Sequence, residues 1–323
     1  MYSVQLYSRT EAQDRALPAH HGHSIKASPT NPAESDLPHP NSISPPPLPP
    51  LSSMSTYNFL TDLGATSSST SLSTALSNTA LLNSYFGETF IPGDTLLIPE
   101  GHTFTVMGGI EGNNLVDCTI ILNGKLSFSK IVKEWPRYEN GHNHAGQVKE
   151  CISFDSPTNF VLTSTLGGGS HDKLGVLDGN GNEWWWWPFF GYMKFEEDRP
   201  RLFRMDKGHN VLIKDILFQD SPYWTTKFSC MDGLEIAGSG ITARRTDNDG
   251  HGLLDLSAFN TDGFDISGRN VHVHDCNCYA QDDCFTVKDS CTGVSENMLF
   301  ENNNASGMAM VIGSIGGSTV RVS

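Results

Sequence analysis

From residue 203 onward the chain repeats short apolar segments, Phe203–Met205, Leu234–Ile236, Phe264–Ile266, Phe285–Val287 and Met310–Ile312, with a polar middle residue in all but the last, where it is Val311. A second series follows at an offset, in Val211–Ile213, Ile241–Ala243, Val271–Val273 and Met298–Phe300. Alternation with a period of two marks a strand with one buried face. The Gly, Asn and Asp residues between segments supply turns. Each unit, roughly 20 to 32 residues long, therefore carries at least two strands, and its loops vary while its strands do not. Hairpins would need two-residue turns and pairing between sequence neighbours. An immunoglobulin-like sandwich does not predict a two-strand recurrence. The pattern predicts an all-β chain wound as a parallel β-helix, its coils stacked like a solenoid.

Upstream, "IPGDTLLIPEGHTFTVMGGI" and "NLVDCTIILNGKLSFS" read as further short strands. Before them, "STALSNTALLNSYFG" reads as a short helix able to cap a β structure. Residues 1–56 include "LPHPNSISPPPLPPLSS" and almost no aromatic or β-branched clusters, so they bury too little surface to offset their ordering entropy. The expected organisation is a disordered Pro/Ser-rich segment, 1–56, followed by a β-helix domain, 57–323.

A formal net charge of -15 over 323 residues argues against nucleic acid and anionic membranes as partners. No apolar run is long enough for a membrane-spanning helix, and the N-terminus lacks the apolar core of a signal peptide. The seven cysteines are odd in number, and Cys276, Cys278, Cys284 and Cys291 crowd together without the paired C-x2-C knuckles of structural zinc sites. Buried thiols or one or two disulfides are the expectation. No cofactor and no metal is expected, and the domain is expected to be a monomer.

Aligning the units on their first strand places Asp232, Asp262, Asp283 and Met308 each two positions before the leading apolar residue. Equivalent positions on successive coils lie about 4.8 Å apart, so Asp262 and Asp283 become direct neighbours with Asp282 beside them. Three like charges at that range cannot all ionise cheaply, and a protonated acid beside an ionised base is what glycoside hydrolysis requires. Singly, each aspartate is ordinary turn chemistry; the register is what makes the trio a candidate site. A calcium site is the other reading of clustered carboxylates, with Arg269 as the base of a lyase.

At these residues the chain resembles glycoside hydrolase family 28, the polygalacturonase and rhamnogalacturonase family. The likeness rests on "GVLDGNGNEWWW", "RPRLF", "DSPYWT", "NTDGFDI", "QDDCFTVK" and "IGSIGG", in that order, over roughly residues 88–320. The resemblance implies a right-handed β-helix of the pectin-lyase-like kind and an inverting hydrolase of pectin-like cell-wall polysaccharide, working outside the cell. It implies Asp282 as the general acid, with Asp262 and Asp283 holding and deprotonating the attacking water. Carboxyl groups one coil apart are, by spacing alone, nearer to the retaining arrangement. Asn260, Gln281, Lys227 and Met308 are the expected substrate contacts. Met308 stands where the family usually carries His, and Met can neither donate a hydrogen bond nor share a proton. That departure leaves a rhamnogalacturonan as plausible as polygalacturonate, and leaves a catalytically impaired, carbohydrate-binding β-helix as the alternative. The family's Arg-x-Lys motif is expected a coil beyond Met308, which reads as missing C-terminal coils.

Of the smaller features, Trp184 to Trp187 could stack on a sugar but more often pack between coils. Lys227 could point into the cleft, although a solvated lysine is the commoner case. His272 and His274 share one strand face, which suits an outer strand better than a metal pair. Asn304-Ala305-Ser306 is a glycosylation sequon in a secreted protein, and Asn302 to Asn304 suit a stacked asparagine turn.

Overall fold

The computed structural model describes residues 54–139, 145–167, 174–185, 198–243, 258–291, 293–307 and 310–313. All the pairings between its strands are parallel, and each coil contributes to three stacks rather than two. The fold is a right-handed parallel β-helix. The first stack holds Ile152–Asp155, Phe203–Asp206, the start of Thr226–Ala237, the start of Phe264–His274, Phe285–Val287 and Met310–Ile312. The second holds Thr158–Thr163, His209–Lys214, the later halves of the two long strands, and Glu296–Glu301. The third runs through Gly175–Asp178, Ile216–Gln219, Gly240–Thr242, Asn277–Tyr279 and Asn304–Ser306.

This register corrects the alignment in two places. Leu234–Ile236 pairs with Val211–Ile213 and Val271–Val273, so it belongs to the second stack. Its place in the first stack is taken by Thr226–Phe228, which a search for an apolar leading residue passes over. Ile241–Ala243 likewise belongs to the third stack, because Ile241 pairs with Phe218 and Cys278. Asp232 therefore sits opposite Arg269 on the second stack, not below Asp262.

The core is a column of side chains inside the coils. Phe154, Phe203, Phe228, Phe264 and Phe285 are all buried, with centroids 5.9 Å apart for Phe154–Phe203 and 5.8 Å for Phe203–Phe228. Phe264 and Phe285 stack at 5.6 Å. Each such burial contributes about 1.5–3 kcal/mol, which lets the loops vary without loosening the stack. At the corner before the second stack, Asn159, Asn210, Gly233, Asn270 and Asn297 all take positive φ, one per coil. The asparagine amides donate to the preceding coil along that corner, from Asn210 to Asn159 and from Asn297 to Asn270, each at 2.7 Å. Asn304 does the same with Asn277 at 2.9 Å on a neighbouring corner, so the stacked asparagine turn is present and the sequon residue is exposed.

The expected helix is Leu72–Ser84, started by Ser71, whose hydroxyl accepts from the Thr74 N–H. It covers Thr103–Val106 and Ile110–Asn113, the end strands of the two sheets. An open sheet edge is a template for further strands. Here helix side chains take its hydrogen bonds: Thr79 bonds both N–H and C=O of Met107, and Asn83 bonds Gly109 O and Glu111 N. Asn78, 1% exposed, bonds Thr105 O and both polar groups of Thr66. Asn78→Ala strips partners from three backbone groups and is expected to lower stability by about 2–3 kcal/mol in chemical denaturation.

The first strand begins at Thr56, with Ser55 N bonded to Asp94, so folded structure starts inside the stretch assigned to the disordered segment. Residues 1–53 lie outside the described residues. Among the described residues, no helix is long and apolar enough to cross a membrane. Cys230 and Cys291 form a disulfide, and the other five cysteines are buried free thiols.

Candidate active site

Two positions before the first stack's strands, Arg201, Trp224, Asp262 and Asp283 occupy equivalent places on successive coils. The coils are tied there by backbone bonds, Thr225 N to Asp262 O and Gly263 N to Asp283 O, both 2.7 Å. Asp262, Asp282 and Asp283 each present a carboxylate oxygen within 4.8 Å of the others. This is the trio the sequence register predicts, and among the described residues it is the one His/Cys/Asp/Glu group close enough to share a cation.

Each carboxylate is held differently. Asp282, half-buried, accepts from the backbone N–H groups of Asn260 at 3.2 Å and Asp283 at 3.0 Å, which fixes its orientation. Asn260 achieves this with a positive φ of 57°. Asp262 is 5% exposed, and burial, then the charges of Asp265 and Asp282, push its carboxyl up to about 8. Burial and the neighbouring Asp282 also raise Asp283. The free site thus holds a proton at neutral pH, as three crowded carboxylates require.

Positive charge enters from Lys288, whose Nζ lies 3.8 Å from Asp262 Oδ2 and 3.5 Å from Asp265 Oδ1. Below the trio, Trp224 is ringed by cations: Arg201 at 4.6 Å, Lys288 at 4.8 Å and Lys227 at 5.8 Å from ring centroids. Arg201 is paired with Glu150 and Arg204 with Asp206. Burial and then these two guanidinium groups lower the half-buried Lys227 ammonium. An acidic chain has gathered a local cationic patch directly beneath its carboxylates.

Three aspartates brought together from adjoining coils, in the order of these motifs, narrow the comparison with known proteins. The family model for glycosyl hydrolases family 28 matches residues 91–322.

The chain belongs to that family.

Within family 28, it is 27% identical over 234 residues to a polygalacturonase of Chamaecyparis obtusa, covering 68% of this chain and 38% of the relative. It is 35% identical over 137 residues to rhamnogalacturonase A of Aspergillus niger, covering 40% of this chain and 26% of the relative. The chain spans less than half the length of these curated relatives. The fold is shared with the endo-xylogalacturonan hydrolase of Aspergillus tubingensis, at a TM-score of 0.59 and 21% identity, over 83% of this chain and 63% of that one.

The other expected site residues of this family-28 chain divide clearly. Lys227 lies in register between Arg204 and Asp265, on the face that carries the trio. Gln281 uses its side-chain oxygen to accept from Ala258 N at 2.7 Å, and so braces the loop before Asn260. Met308 lies outside the described residues. Asp232 is bonded to Arg269 at 2.7 Å on another corner, so the arginine proposed for a lyase is engaged away from the trio. Trp184 and Trp185 are buried, Trp185 donating to Ser221 O, while Trp186 and Trp187 lie outside the described residues. His272 and His274 stack at 4.2 Å on an outer strand and pair with Glu301, Glu235 and Asp275.

Sequence reasoning missed Lys288, Asp265, Arg204 and Trp224 as site residues. Part of the signal was available in the polar middle of the first-stack triplets, where Arg204, Lys227, Asp265 and Thr286 stand in register.

The raised carboxyls make stability pH-dependent. Asp262 binds its proton more tightly folded than unfolded, where its value is near 4. The folded state therefore binds more protons across about pH 4 to 8, and stability falls as pH rises through that window. Asp265, raised to about 6, adds to the lower part of it. Asp262→Asn is expected to flatten the fall and to raise the melting temperature at pH 8, measured by thermal scans across pH.

Proposed function

We propose that the protein is a glycoside hydrolase of pectin-like polysaccharide, cleaving the glycosidic bond by inversion. The observation that carries this reading is the aspartate trio, three carboxylates within 4.8 Å of one another, two of them raised by burial and by neighbouring carboxylate charge. The proton that Asp262 carries in the free site passes to Asp282, which is oriented by two backbone N–H groups and donates it to the leaving glycosidic oxygen. Asp262 and Asp283 take a proton from the water that attacks the anomeric carbon, and the proton returns to Asp282 across less than 4.8 Å. The carboxylate oxygens lie within 4.8 Å, nearer the retaining spacing, so inversion rests on the family resemblance and not on this distance.

Lys227, with Arg201 and Arg204 behind it and the Trp224 ring beside it, suits an acidic sugar residue: a cation for the carboxylate and a flat face for the ring. The Cys230–Cys291 disulfide supports work in an oxidising, extracellular compartment. A reducing-sugar assay on polygalacturonate, rhamnogalacturonan and xylogalacturonan, with NMR of the first-formed anomer, tests the reading. Release of the inverted anomer, lost in Asp282→Asn, supports it. Glycan binding without turnover in the unsubstituted chain points instead to a binding module.

A further inference from the structure

Beside the trio lies a fourth carboxylate that the proposed reaction does not use. Asp265 is 1% exposed, and both its oxygens are shut from solvent without accepting a well-formed hydrogen bond. Its strand places it in register with Lys227 below and Thr286 above. The buried Thr286 hydroxyl stands against it and, with Lys288, favours its ionised form. An isolated carboxylate so deep costs several kcal/mol unless a cation offsets it. Lys288 supplies that cation, and the same ammonium reaches Asp262.

We propose that Lys288 and Asp265 form a buried charge pair that positions the proton of the trio, with Lys288 shared between Asp265 and Asp262. One ammonium serves two buried carboxylates, so each limits its help to the other. Asp265 draws Lys288 away from Asp262 and adds a negative charge behind it; Lys288 favours ionised Asp262, the state needed to accept a proton from water. Both are positioning residues, acting through Asp262. The inference rests on the hydrolase reading for its catalytic meaning and on geometry alone for the charge pair. The other charged or titratable groups facing the pair are Asp282 and Asp283 on the next coil, Lys227 and Arg201 below, and the buried Cys278 thiol.

The two members should act with opposite sign, which a merely structural role would not do. In protein labelled with carbon-13 at the aspartate carboxyls, the Asp262 signal is assigned by its loss in Asp262→Asn and followed against pH. Lys288→Met is expected to raise the Asp262 midpoint by about one pH unit or more, the usual effect of a counter-charge within about 4–6 Å. Asp265→Asn is expected to lower it by about one unit, and Lys288→Arg to restore it to within about half a unit. In turnover, the acid limb of the pH profile should follow these midpoints. Shifts of one sign for both variants, or none, overturn the proposal. If Lys288→Met fails to fold, the near-isosteric Asp265→Asn decides it alone by its downward shift. Opposed midpoint shifts without turnover in any protein would uphold the charge pair and sink the hydrolase. Turnover with unmoved midpoints would do the reverse.

Discussion

Asp282→Asn should lower kcat on the preferred wall polysaccharide by about 10²–10⁴-fold while leaving KM within about threefold. General acid catalysis contributes in that range, and an amide cannot deliver a proton to a leaving alkoxide. The substitution is mild for the fold. Asn keeps one oxygen for the N–H groups of Asn260 and Asp283 and loses one of two acceptors, at about 1 kcal/mol. Reducing-sugar release gives kcat, and calorimetry with an oligosaccharide shows whether binding survives. Retained turnover would remove Asp282 from the acid role. The raised carboxyl of Asp262 would then make it the donor, because it already carries the proton of the free trio. The measurement therefore separates two assignments inside one site.

That ambiguity shows what the sequence could and could not convey. Register was legible wherever a strand opened on a large apolar residue, so Phe264 and Phe285 brought Asp262 and Asp283 together correctly. It failed at Thr226, whose hydroxyl bonds Gly263 O across the coils and which looks polar in a one-dimensional pattern. One slipped coil put Asp232 in the column and left Lys227 without its neighbours. The charge environment was harder still. Lys288 lies five positions beyond Asp283 in sequence, and its effect on Asp262 comes from a neighbouring coil. The helix cap was visible as a helix, but its buried face carries Asn78 and Thr79, because it meets backbone edges instead of a core. A hydrophobic pattern alone assigns no such face.

Gly263→Ala should be the most damaging change of a single methyl group near the site. A Cβ there would lie 2.3 Å from Cys284 O and 2.6 Å from Cys278 Sγ. The first contact is with backbone on the next coil, which cannot swing aside as a side chain tip does. The same carbonyl accepts from Phe264 N at 2.8 Å, and Gly263 N donates to Asp283 O. The methyl thus wedges the seam that holds Asp262 against Asp283. Relief requires the coils to part or the strand to bend, at about 1–3 kcal/mol for a packed interior and more if a seam hydrogen bond breaks. Displacement of a catalytic group by about 1 Å can cost about 10²-fold in rate, so kcat should fall at least that far even in the folded fraction. Gly87→Ala is the control, since its added Cβ meets nothing within 4 Å. Thermal melts and kcat on both variants check the claim. A Gly263→Ala protein with unchanged kcat would show that the carboxylates do not depend on that seam for their spacing, and the column of aspartates would lose its role in setting the chemistry.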